Sequence, residues 1–241
     1  MKILFSPSEL KSEISGDLKF DFDIFLFKEL KTQREFVFSK YLNFINSASN
    51  DELKRLFGVS KFDTNFDFSH AIKAILRYQG VAYNALKYSN LPLNSQSYID
   101  ENMLIFSNLF GILRADTPLP NYKLKQGEKI GAFDTAMYFK DEFSKKIDEY
   151  LKDEFIIDLR AGYYEKFYTI KQPYSTLKFI KNKKVISHYA KHFRGKFLRE
   201  LALNLVQTKS DFENLKVPNL RLIDIKHGKF KMEYSFEILE N

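Results

Sequence analysis

The sequence predicts an α+β fold: a mixed β-sheet flanked by helices, with a helical insertion at about residues 30–90. Three observations predict it. Short apolar runs suited to buried strands alternate, imperfectly, with segments of helical periodicity. Two runs near the C-terminus flank a Gly-containing turn, the pattern of a hairpin. The chain also has 241 residues, 44% of them hydrophobic and 25 of them Phe, enough to fill a sizeable core. No internal repeat or low-complexity linker divides it, so residues 1–241 are read as one domain.

Each element has its own reason. Residues 2–5 are apolar and read as a buried strand, stopped at Ser6-Pro7 because Pro lacks the ladder N–H. Residues 8–21 are polar and read as a loop. Phe36, Tyr41, Phe44, Ile45 and Ala48 make a helical stripe over residues 33–48. A break at residues 49–51 precedes a short helix ending at Phe57, with Gly58 as its C-cap. Ser69 is placed to cap a long helix over residues 70–86, interrupted by Gly80. Residues 103–106 form a second strand. Residues 114–131, rich in Pro, Gly, Asp and Asn, form a long ordered loop. Residues 133–151 read as helix, 155–159 and 185–187 as strands, and 192–207 as a basic amphipathic helix. Residues 220–225 and 230–236 make the hairpin, turning at residues 227–229.

Composition bounds the chemistry. The chain has no cysteine, which excludes disulfides, thiol catalysis and Cys-ligated metal. No run is long enough to span a bilayer and the N-terminal apolar run is too short for a signal peptide, so a cytoplasmic protein without a membrane partner is expected. Thirty-eight Lys and Arg against 31 acids leave a formal charge of +7, which favours a polyanion partner.

Several polar motifs fall at the ends of apolar runs, where ligands of open α/β sheets bind. Ser8, Glu9 and Lys11 follow the first strand. Arg77 and Tyr78 precede Gly80. Arg114 follows Phe110-Gly111-Ile112-Leu113, Asp158 and Arg160 end the third strand, and His188 and Lys191 follow the fourth. Ser8, Lys11, Arg77, Tyr78, Arg114, Arg160 and Lys191 are therefore candidates for one anion or nucleotide cleft, with Glu9, Asp158 and His188 as candidate acids or bases. Ordinary polar loops, a local Arg114–Asp116 ion pair and a structural His188 are the alternatives at these positions. No dense ligand cluster is present, and neither a metal nor another cofactor is expected. A second basic set comprises Lys191, Arg194, Lys196 and Arg199, with Phe193 and Phe197 interleaved. It is either a phosphate-tracking strip or a charged outer helix face. Lys54, Arg55 and Lys61 surround Phe57-Gly58-Val59, similar to the hairpin of a helix-hairpin-helix element, although Ser60 stands where a second glycine belongs.

Taken together these motifs resemble the YaaA peroxide-stress-resistance family. The resemblance rests on residues 2–11, 77–83, 107–124, 158–160 and 187–198, in order along nearly the whole chain. It implies a cytoplasmic bacterial protein that protects against hydrogen peroxide, is linked to limiting free intracellular iron and Fenton damage, and binds DNA through a helix-hairpin-helix element. Two function classes follow. In the first, the basic sets bind duplex or structured DNA by backbone or shape, not sequence. In the second, the cleft belongs to an enzyme acting on a nucleotide, base or nucleic-acid strand.

Overall fold

The computed structural model describes residues 1–182, 184–185 and 188–239; the side chains of Val185 and His188 lie outside that description. The main sheet contains β1 (Lys2–Phe5), β4 (Met103–Ser107), β5 (Gly111–Arg114), β7 (Ile156–Asp158), β8 (Tyr174–Lys181), β10 (Leu220–His227) and β11 (Lys231–Ile238). Their order is β10-β11-β8-β7-β1-β4-β5, with β9 (Lys184–Val185) paired to β8. The five inner strands run parallel, while β5 and β10 close the ends antiparallel. This is the mixed α+β architecture that the alternation predicts.

Burial explains the strand sequences. Ile3, Leu4 and Phe5 of β1 and all of β4 are buried, as expected of parallel strands covered on both faces. In β8 the buried residues alternate: Ser175, Leu177 and Phe179 point inward. A smaller sheet joins β2 (Leu18–Lys19), β3 (His70–Lys73) and β6 (Pro118–Leu119).

The helices are α1 (Lys31–Ser47), α2 (Asn50–Phe57), α3 (Ala74–Arg77), α4 (Val81–Leu86), α5 (Leu93–Asn102), α6 (Thr135–Leu151), α7 (His188–Leu203) and α8 (Lys209–Asn214). Along α1, Arg34, Val37, Tyr41 and Ile45 form the buried stripe. Ser49 and Glu52 build a capping box at the start of α2, and Gly58 ends it with φ 70°. Asp134 caps α6 by accepting from Ala136 and Met137 N–H groups. Helix α7 begins four residues earlier than the periodicity predicts.

Two expectations are corrected. Residues 59–69 hold no helix, so the second half of a helix-hairpin-helix element is missing. The Asp63 and Asp67 carboxylates accept from the N–H groups of Asn65 and Ser69, turns that compete with helix formation. Phe57, Phe62, Phe66 and Phe68 then pack ring to ring and tie the segment down. The single helix expected over residues 70–86 is instead β3, α3 and α4. Tyr78 pairs its backbone with Lys11, and Gly80, at φ 103°, starts a new helix.

One topological feature positions the site. β1 lies between β7 and β4, and the three run parallel. The chain leaves β1 towards β4, then crosses back to place β7 on the other side. Chains emerging from β1 and β7 therefore diverge at their carboxyl ends and leave a crevice between them.

Candidate functional site

The crevice is a cleft of about 420 Å3. Residues 5–10, leaving β1, form one wall, and Leu159, Ala161 and Tyr164, after β7, form the opposite one. The turn at residues 79–83, Gln126, and Lys191 and Arg194 of α7 complete the lining. Ser6 ties the two diverging chains: its hydroxyl accepts from the Ala161 N–H at 2.8 Å, and its carbonyl accepts from the Tyr83 hydroxyl at 2.8 Å. Gly80 allows the close approach of Ser8, since a Cβ there would lie 3.0 Å from Ser8 Oγ. The rim is apolar at Leu10, 59% exposed, and Val81, 53% exposed.

Two basic residues of α7 face the cleft. Lys191 is exposed. Arg194 is half-buried and makes no hydrogen bond or ion pair with any described residue. Desolvation pulls its pKa below the ordinary arginine value, and the Asp158 charge only partly opposes that shift. Arg194 also borders a second cavity of about 370 Å3, which shares Ala161 and Arg194 with the first. Helix α7 reaches this position because Gly195 lies against the backbone of α4: a Cβ there would stand 2.0 Å from the Ala82 oxygen.

Behind the Glu9–Tyr164 side of the cleft is a buried polar cluster. The Tyr78 and Tyr122 hydroxyls meet at 2.8 Å, and Tyr122 meets the Ser107 hydroxyl at 2.9 Å. Lys11 Nζ lies 4.3 Å from the centre of the Tyr122 ring and donates to the Glu9 carbonyl at 3.3 Å. Burial lowers the Lys11 pKa from 10.5 to about 7, although the Glu9 charge acts in the opposite direction. Burial pushes Tyr78 and Tyr83 well above the usual phenol range and Tyr122 up to about 12. The Glu9 carboxylate accepts from the Gln126 N–H at 3.2 Å.

The sequence-predicted cleft residues separate into two groups. Ser8, Glu9 and Lys191 line the cleft, and Lys11 and Tyr78 lie directly behind it. Arg77, Arg114 and Arg160 do not line it. Arg77 is buried and donates to the carbonyls of Leu119, Ser12 and Ile14, which anchors the chain just beyond Lys11. Arg114 pairs with Asp116 through two hydrogen bonds, at 3.0 and 2.6 Å. Arg160 grips Asp158 at 2.8 and 2.9 Å and donates to the carbonyls of Tyr164 and Tyr168, which fixes the turn carrying Tyr164. Asp158 is thus held by its neighbour and borders the second cavity. The His188 side chain lies outside the described residues.

Of the other basic set, Arg194 alone joins Lys191 at the cleft. Lys196 lies over the Phe193 ring, and Arg199 caps α4 through the carbonyls of Leu86 and Lys87. Lys54 pairs with Asp51 at 2.9 Å; Arg55 and Lys61 are exposed. The α2 end still abuts the cleft loop, because Lys125 N–H donates to the Leu56 carbonyl. No group of three or more His, Cys, Asp or Glu among the described residues could hold a metal ion. No helix among them is long and apolar enough to cross a membrane.

Sequence reasoning missed Tyr164 and Gln126 at the site, and Arg34 in the core. Arg34 is fully buried and donates to the carbonyls of Leu26, Phe27, Phe110 and Ile112. A helical stripe defined by apolar positions gives no sign of it.

Fold and cleft together define an α+β protein with a preformed, cation-lined cleft where the strand order reverses. The chain belongs to the peroxide stress protein YaaA family, whose model matches residues 1–224. It is 46% identical to an uncharacterized protein of Campylobacter jejuni over the full length of both chains. It is 30% identical to a UPF0246 protein of Corynebacterium glutamicum over 85% of this chain and 86% of the relative. A UPF0246 protein of Malacoplasma penetrans is 28% identical over 98% and 96% of the two chains.

Proposed function

We propose that this peroxide stress protein works in the cytoplasm by binding DNA, with the cleft and its α7 rim as the contact surface. The observation that carries this reading is Arg194, a half-buried guanidinium with no hydrogen bond or ion pair to any described residue. A desolvated guanidinium without a carboxylate partner suits a phosphate, which it can hold through two parallel hydrogen bonds. Exposed Lys191 adds a second charge on the same helix face. Arg55 and Lys61 extend the basic surface near α2, without a helix-hairpin-helix element. Recognition is of the backbone, so affinity falls with salt. The link to limiting free iron and Fenton damage comes from the family resemblance, and no residue of the cleft is assigned to it.

Fluorescence anisotropy with labelled duplex, bubble and junction DNA across a salt series tests the reading. Micromolar or tighter binding is expected, with Arg194→Ala reducing the slope of log K against log salt by about one. Binding that is absent, or indifferent to both salt and Arg194, counts against it. A second reading, an enzyme acting on a nucleotide, base or strand, is favoured by Lys11. An amine of lowered pKa behind Glu9 is suited to proton transfer at neutral pH.

A further inference from the structure

Two cavities meet at one basic side chain. The cleft, about 420 Å3, and the second cavity, about 370 Å3, have Ala161 and Arg194 in common. Each has the volume of a small-ligand pocket, ~300–1,000 Å3. Their shared wall is thus one small side chain and one arginine. Gly162, the next residue after Ala161, lines the second cavity but not the cleft.

The other basic residues lining the second cavity already have acidic partners. Arg160 holds the Asp158 carboxylate at 2.8 and 2.9 Å, and Lys231 and Lys178 pair with Glu233 at 2.8 and 3.8 Å. Arg194 has no such partner among the described residues. A half-buried guanidinium on the shared wall calls for an anion at the junction, not deep in either cavity. Glu165, exposed in the second lining, adds a negative charge that a dianionic terminal phosphate would meet more strongly than a phosphodiester. The rest of the lining suits uncharged groups. Tyr174, Thr176 and Phe179 border the second cavity, and Tyr83 and Tyr164 border the cleft. A base can lie against ring surface whatever its identity, because every base has a π-face.

We infer that the two cavities hold two successive nucleosides joined through one phosphate, one nucleoside in the cleft and the next in the second cavity, with Arg194 gripping the phosphodiester between them. The inference rests on the phosphate contact proposed above for Arg194, and it assigns the second cavity a ligand. It also requires unpaired bases, since a base held in a duplex cannot enter a pocket of its own. The same chemistry is offered by a free dinucleotide and by an unpaired step of a strand.

Calorimetric titration of the full chain with dTMP, thymidylyl-thymidine and hexathymidylate tests it. The mononucleotide carries about two negative charges and the dinucleotide one, so charge alone ranks dTMP first. Thymidylyl-thymidine is nevertheless expected to bind about tenfold or more tighter, from the contacts of its second nucleoside. Gly162→Trp fills the second cavity from a position where nothing lies within 4 Å of an added Cβ. Once shown to fold by its thermal melt, that variant should bring the dinucleotide down to the affinity of dTMP, whereas Arg194→Ala should weaken both. Hexathymidylate binding at least as tightly as the dinucleotide assigns the site to a strand; binding of the dinucleotide without hexathymidylate assigns it to a free ligand. A dinucleotide that binds no tighter than dTMP, with both dependent on Arg194, overturns the inference and leaves the phosphate contact standing. No binding of any of these probes overturns the inference, while duplex anisotropy separately decides whether DNA binds elsewhere. A dinucleotide preference that survives Gly162→Trp also overturns it.

Discussion

At the scale of single residues, the basic side chains divide by what they touch. Arg34 and Arg77 are consumed by backbone carbonyls deep in the fold, whereas Arg194 makes no hydrogen bond or ion pair with any described residue. Replacing Arg77 with Leu strands the carbonyls of Leu119 and Ser12, whose bonds are buried, and frees that of Ile14, and we expect a loss of about 3 kcal/mol in urea unfolding. Lys11 behaves in the opposite way. Its folded pKa of about 7 lies below the unfolded 10.5, so between those values the unfolded chain binds more protons. Stability therefore rises with pH across that window, and the full burial penalty remains below pH 7. Lys11→Met should stabilise the protein by about 1–4 kcal/mol at pH 6 and remove that rise. Unchanged pH dependence in denaturant melts would show that Lys11 is not buried as a titrating amine. Sequence could not separate these roles, because an Arg at a strand end reads identically whether it binds phosphate or a carbonyl. Only the three-dimensional placement of residues 12–14 shows what Arg77 is for.

At the scale of elements, the strands at 2–5, 103–106 and 155–159 were legible because buried parallel strands are apolar runs, and the antiparallel terminal hairpin because two runs flank a Gly-containing turn. Strand β8 was missed: its alternating Ser175, Leu177 and Phe179 are separated by polar residues and preceded by Pro173. Helix α5 was missed as well, because its sequence is polar outside Leu93, Tyr98 and Ile99. The helices α4 and α7 meet at Gly195, where there is no room for a methyl group. Gly195→Ala should cost about 1–3 kcal/mol and also weaken DNA binding, since Arg194 rides on the displaced helix. Gly162→Ala, with nothing within 4 Å of the added Cβ, is the matched control and should melt like the parent. Equal melting temperatures for the two variants would mean that the helices can separate freely.

At the scale of the whole molecule, the hairpin β10–β11 closes a sheet that would otherwise end at β8. The β11 side chains Tyr234 and Phe236 pack on Phe212 and Phe197, rings carried by α8 and α7. Removing residues 220–241 would expose the long edge of β8 and this aromatic cluster together. Such a truncated chain should aggregate on expression, and its sedimentation would reveal it. The intact chain should unfold in one cooperative transition, as expected of a single domain. Two resolved transitions in calorimetry would separate the helical region around α1 and α2 from the sheet.

The exposed rim at Val81 has an optical consequence. The chain contains no tryptophan, so nothing in it emits as an indole. Val81→Trp would place the sole fluorophore of that kind at the mouth of the crevice, half in water. Its emission would shift to the blue when a ligand covers it, and would be quenched if a base stacks against it. The 14 tyrosines absorb and emit to the blue of an indole, so excitation at the red edge of the protein band isolates the new side chain, and one aromatic substitution turns occupancy of the cleft into a direct optical signal.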